Sequence, residues 1–161
     1  MVTSLNNSFP VKDQLPNMEQ SRLRTLTAST TITAEQHDGQ VLLMGASGAA
    51  LSFTLPAANG TGARFRFVVS VVNTSNYVIQ VANATDVMSG SIWSTQDGGD
   101  TVVGWETAST SDTVTLNGTT TGGVNIGDYV ELQDIKSGFW SVTGLMVSSG
   151  TEATPFSAAV S

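Results

Sequence analysis

His37 is the single histidine of the chain and lies in Glu35-Gln36-His37-Asp38-Gly39. A serine nucleophile served by a histidine and an aspartate would have to pass through it. Such a relay is recognised by geometry rather than by spacing, and no G-x-S-x-G elbow precedes a helix to mark a nucleophile. A glycine-ended polar turn solvates an imidazole, so His37 is expected at the surface and not as a general base. Asp97, Asp100, Glu106 and Asp112 are the carboxylates from which a glycosidase pair could be drawn, which requires two of them about 5 to 10 Å apart in a cleft. Acids set among glycines form turns more readily. Asp97-Gly98-Gly99-Asp100 offers hard oxygens to calcium but lacks the alternating aspartate ladder of a calcium loop, so a plain turn is expected. Gly60-Thr61-Gly62-Ala63 and Asn117-Gly118-Thr119-Thr120-Thr121-Gly122-Gly123 are not followed by Lys-Ser/Thr and a helix, which argues against a phosphate cradle. The residues therefore point to a chain without a catalytic site, cofactor or metal.

The elements that would position any site are strands. From Gly62 to Ala84, Phe65, Phe67, Val69 and Val71 fall on one face of an extended chain, and Arg64, Arg66, Val68 and Ser70 on the other. That period of two belongs to a half-buried strand. After Asn73-Thr74-Ser75-Asn76 the alternation resumes at Tyr77, Ile79 and Val81, and the pair reads as a long hairpin at the centre of the core. Further strands are expected at Val41–Met44, Ser52–Leu55, Val87–Trp93, Thr101–Trp105, Thr113–Leu116, Asp128–Asp134 and Phe139–Val142. Strands at such intervals, joined by Gly and Asn turns, predict an all-β fold, an antiparallel β-sandwich or jelly-roll-like barrel. No repeat at a fixed period is visible, which disfavours a solenoid.

Composition agrees. Charged residues make up 12% of the 161, about half the usual share, while small and β-branched residues dominate. A chain of this length hides roughly 70% of its unfolded surface and can support its own core. With no cysteine, disulfides, thiolate zinc and a cysteine nucleophile are excluded. The net charge of −7 sets the protein's field against polyanions, so nucleic acid is not an expected partner. No run of ~20 apolar residues is present to cross a bilayer as a helix, and no signal-peptide pattern opens the chain, which fits synthesis in the cytoplasm.

Residues 1–27 differ from the single β domain expected over 28–161. Pro10 and Pro16 interrupt regular structure, apolar residues follow no sustained period, and Lys12, Arg22 and Arg24 supply half of the six basic residues. This stretch reads either as a loosely packed leader or as an extended arm that orders against a neighbouring subunit, with a short helical turn within Met18–Arg24. Phe9, Pro10, Leu15, Arg22 and Arg24 are its candidate contacts with a neighbouring subunit or a shell, because Phe9 and Leu15 would otherwise face water.

The succession T-I-T-A-E-Q-H-D-G-Q-V-L-L-M, F-T-L-P-A-A-N-G-T-G-A-R-F-R-F-V-V, Y-V-I-Q-V-A-N-A-T-D-V-M-S-G, D-T-V-T-L-N-G-T-T-T-G-G, G-D-Y-V-E-L and F-W-S-V-T-G, across about residues 30 to 156, resembles the head decoration, or cement, proteins of tailed bacteriophages. Related phage fibre-type β modules share the T-A-x-x-x-G, T-L-P and W-x-V pattern. The resemblance implies a virion protein made in the host cytoplasm that assembles as a homotrimer on the outer surface of the capsid, its partners being its own copies and the major capsid protein. It brings no catalytic motif. The alternative is a receptor- or carbohydrate-binding module on a tail or fibre, with Tyr77, Trp93, Trp105 and Trp140 as stacking platforms. Core packing is the competing role for all four.

Overall fold

The computed structural model describes residues 22–160. In chain order the elements are β1 (Leu23–Leu26), β2 (Thr30–Thr31), α1 (Ala34–His37), β3 (Val41–Met44), β4 (Leu51–Thr54), β5 (Arg64–Val69), β6 (Tyr77–Gln80), β7 (Val87–Gln96), β8 (Val102–Glu106), β9 (Thr113–Leu116), β10 (Tyr129–Lys136), β11 (Phe139–Ser148) and β12 (Phe156–Ser157). They form a seven-stranded sheet of order β1-β3-β5-β10-β11-β7-β8 and a five-stranded sheet of order β12-β9-β6-β4-β2. The all-β sandwich is as expected; the pairing is mixed parallel and antiparallel rather than antiparallel throughout.

From β1 to β6 the chain changes sheet at every strand. β1, β3 and β5 lie side by side and parallel in the larger sheet, and β2, β4 and β6 do the same in the smaller one. This is a short parallel coil. Its steps are unequal: Leu23 lies opposite Val41 and Val41 opposite Arg66, while Thr30 lies opposite Phe53 and Leu51 opposite Tyr77. Unequal steps leave no fixed period in the sequence, which is why the coil is invisible there. The expected hairpin of residues 62–84 is accordingly wrong. Its two strands, β5 and β6, belong to opposite sheets, and residues 70–76 arch between them. Val71, placed inward by alternation, lies beyond the end of β5 and is exposed. The first strand also reaches back into the stretch read as arm: Leu23 and Arg24, the end of the helical turn expected over Met18–Arg24, are strand in β1, and residues 1–21 lie outside the described ones.

The core lies between the sheets. Phe53 of the smaller sheet stacks on Phe67 of the larger at 5.5 Å between ring centres and on Tyr77 at 6.2 Å. Phe65 lies 5.7 Å from Trp140, and all five rings are buried. Adjacent rings at these separations add about 0.5 to 1.5 kcal/mol per pair beyond their buried area. The second half of the chain completes the larger sheet with two hairpins, β7–β8 and β10–β11, joined through the ten-residue parallel pairing of β11 with β7. At Gly90 in β7 a side chain would meet the Val142 carbonyl oxygen at 1.9 Å, and φ is +152°. Only glycine lets these strands approach so closely.

Phe67→Ala and Trp140→Ala should each cost about 3 to 5 kcal/mol in urea unfolding. Arg66→Ala, half-buried on the outer face over the Tyr129 ring at 3.8 Å, should cost under about 1 kcal/mol. Equal losses for all three would mean that the two faces of β5 are misassigned.

Candidate functional site

His37 is 1% exposed, contrary to the solvated position expected. The polar turn closes into α1 and folds the imidazole inward. Its Nδ1 lies 3.1 Å from both the amide nitrogen and the carbonyl oxygen of Thr33, and Nε2 has no hydrogen-bond partner. Burial pushes its pKa down, the charge of Arg24 adds to this, and the Thr33 carbonyl opposes it. The ring is a neutral packing group.

The four carboxylates considered for catalysis do not meet in a cleft. Asp97 and Asp100 flank the exposed turn between β7 and β8, and Glu106 stands in solvent on β8. Asp112 is buried and accepts the backbone N–H groups of Ala159 (2.8 Å) and Val160 (3.2 Å), tying down the C-terminal segment. Among the described residues, no three His, Asp or Glu side chains are gathered as a metal site.

Asp134 is the acid that the sequence reading missed. It accepts N–H from Asn59 (3.1 Å), Gly60 (2.7 Å) and Thr61 (2.9 Å), and the Thr61 hydroxyl at 2.8 Å. These donors outweigh burial and hold its pKa below the usual value, although burial is the largest single influence and acts upward. A signal was present: Val130, Leu132 and Asp134 share one parity in β10, so the strand that buries the first two also buries the acid. At Asp128 burial outweighs the backbone donors, among them the N–H groups of Gly123 and Asn125, and raises its pKa.

The aromatic candidates divide. Trp140 and Tyr77 are core residues. Trp105 is half-buried against the core, its Nε1 buried without a partner. Trp93 is 53% exposed on the outer face of the larger sheet, opposite Gly104 of β8 and Leu145 of β11. The pairing continues from Leu145 to Tyr129, Val68 and Leu43, so an apolar row crosses five neighbouring strands from β3 to β7. Beside it, Arg64 and Arg66 each approach Glu131 at 3.6 Å. At the β7–β8 end lies an open groove of about 790 Å³, lined by Trp93, Ser89, Ser91, Glu106, Thr107 and Phe139 among others.

Of the candidate contact residues, Arg22 and Arg24 lie exposed at the β1 edge, where the Arg22 carbonyl accepts the Val41 N–H at 2.7 Å. Phe9, Pro10 and Leu15 fall outside the described residues. In comparison with known proteins, the chain matches no family model, no curated protein and no solved structure.

Two outcomes follow. His37 binds its proton less readily folded than unfolded, so its contribution to stability is intact above the unfolded pKa of about 6.5 and lost as pH falls below it. The melting temperature should therefore drop between pH 7 and pH 5, with a slope of at most about 1.4 kcal/mol per pH unit, and His37→Asn should flatten that slope. Asp134→Ala should cost on the order of 3 kcal/mol in urea unfolding, because charge-assisted bonds are lost and backbone donors left unpaired. A loss within ~0.5 kcal/mol would show that the 59–61 loop holds without the carboxylate.

Proposed function

We propose that this protein is a structural component of a tailed-phage virion, a decoration or cement protein that binds the outer surface of the capsid as a homotrimer. Its partners are its own copies and the major capsid protein, and it carries out no reaction. The observation that carries this reading is the apolar row Leu43, Val68, Tyr129, Leu145 and Trp93 on the outer face of the larger sheet, with Leu145 itself 49% exposed. An apolar row of this kind, crossed by the Arg66 guanidinium over Tyr129, suits a face that is covered on assembly, and removing it from water contributes about 25 cal/mol per Å². The β-sandwich suits a passive shell component, and the quoted sequence succession resembles such proteins. Arg22 and Arg24, at the free edge of β1, stand where residues 1–21 join the domain, so an arm would reach a neighbour from the rim of the same sheet.

Light scattering on the purified protein should give the mass of three chains, and the protein should bind undecorated phage heads. Leu145→Asp should leave the melting temperature within a few degrees and weaken trimerisation or head binding at least tenfold, about 1.4 kcal/mol. Deleting residues 1–20 should leave the β domain folded and weaken the same contacts. A monomer that does not bind heads would overturn the proposal.

A further inference from the structure

The β7–β8 groove begins at Trp93, where the apolar row ends, and adds features that the docking role does not use. Gly104 faces Trp93 across the hairpin, and a side chain built there would lie 3.2 to 3.5 Å from three carbons of the indole ring. The ring therefore lies down on bare backbone, one face covered and the other left to account for its 53% exposure. Two residues back along β7, Ser91 pairs with Glu106, so a hydroxyl and a carboxylate stand about 7 Å from the ring along the strand. Ser89 follows, and the Phe139 ring, on a residue paired with Val87 and covered by the Lys136 ammonium at 4.2 Å, closes the far end. From the level of Trp93 to that of Phe139 the groove runs about 20 Å along the sheet.

We infer that this groove binds a neutral oligosaccharide, with Trp93 as the platform for the apolar face of a sugar ring and Glu106, Ser89 and Ser91 as partners for the hydroxyls along the groove. A flat, one-sided aromatic surface beside short hydroxyls and one acceptor-only carboxylate complements a ligand that presents C–H groups on its faces and O–H donors on its rim. Glu106 in the groove and a net charge of −7 on the chain repel acidic glycans. The groove is open and elongated, which suits an extended chain more than a compact metabolite. The inference does not rest on capsid decoration. It applies equally to a protein on a head or on a tail, and its site shares Trp93 with the apolar row but otherwise lies at the β7–β8 end of the sheet, away from the β1 edge.

The test is a titration of the full-length protein with maltohexaose, cellohexaose and chitohexaose, followed by tryptophan fluorescence. Trp93 is the most exposed of the three tryptophans, with Trp140 buried and Trp105 half-buried, so occupation of the groove should shift emission to the blue. At least one of the three sugars should bind with a millimolar or tighter Kd. Trp93→Ala should weaken it at least tenfold with little change in melting temperature, and Glu106→Gln should weaken it several-fold. If none of the sugars shifts the emission, or if Trp93→Ala binds as tightly as the parent, the inference is wrong. A change in solution mass for Trp93→Ala, without any response to sugar, would also overturn it and identify the groove as an interface between copies.

Discussion

The Tyr77 hydroxyl sits where the two arches of the coil meet. It accepts the Ala46 N–H at 3.0 Å and lies within hydrogen-bond reach of the Met44, Ala46 and Val71 carbonyls. Next to it, the buried Asn73 accepts N–H from Gly48 and Ser75 and donates to Ala49 at 2.7 Å. A chain that changes sheet at every strand turns its backbone out of the ladder at every crossing, and the polar groups stranded there must find partners. Tyr77 and Asn73 supply them for the β3–β4 and β5–β6 arches together, while the Tyr77 ring stacks on Phe53 in the core. One side chain thus joins backbone satisfaction to apolar packing, and the register of the parallel coil depends on both.

The same economy appears in the use of acids. Asp86, Asp112, Asp128 and Asp134 are all buried, and each accepts backbone N–H groups from a loop or tail remote in sequence or near a sharp turn. A carboxylate is an acceptor-only group with room for several donors, so one residue can hold a loop that would otherwise need a strand partner. Asp134 and Asp128 shift in opposite directions because the backbone and hydroxyl donors outweigh burial at Asp134, whereas burial outweighs the backbone donors at Asp128. Of the eleven acidic residues among the described ones, these four turn inward to hold loops, and the outer face of the larger sheet carries an apolar row bordered by the Arg64–Glu131–Arg66 cluster.

That face gives the functional reading its physical content. Because β5, β10, β11 and β7 are held flush by direct pairing, Val68, Tyr129, Leu145 and Trp93 come from four distant parts of the chain and still form one strip. A rigid strip of this kind can dock without paying much ordering entropy, which favours a static partner such as a shell or a sibling subunit. At its β7–β8 end the strip opens into a groove with hydroxyls and a carboxylate, a different surface chemistry on the same sheet.

Much of the strand content was legible from residues alone. Alternation of apolar and polar side chains located β5, β6, β10 and the first half of β11, and placed Phe65, Phe67, Val130, Leu132 and Trp140 inward, because a period of two is a local property of extended backbone. The same parity held the buried position of Asp134, although it was read only for the apolar residues. Pairing was not legible. Whether Asn73–Asn76 turns a chain back beside itself or arches it to the opposite sheet depends on which strand lies across the core, and the Phe53, Phe67 and Tyr77 rings decide that only once three rungs are stacked. His37 failed for a related reason: its neighbours in sequence are polar, but the fold of α1 turns its ring inward, where it is 1% exposed. Exposure of Trp93 was likewise a tertiary outcome, since β7 alternates alike whether its outer face is covered or bare, and among the described residues no third layer lies over the seven-stranded sheet at the indole.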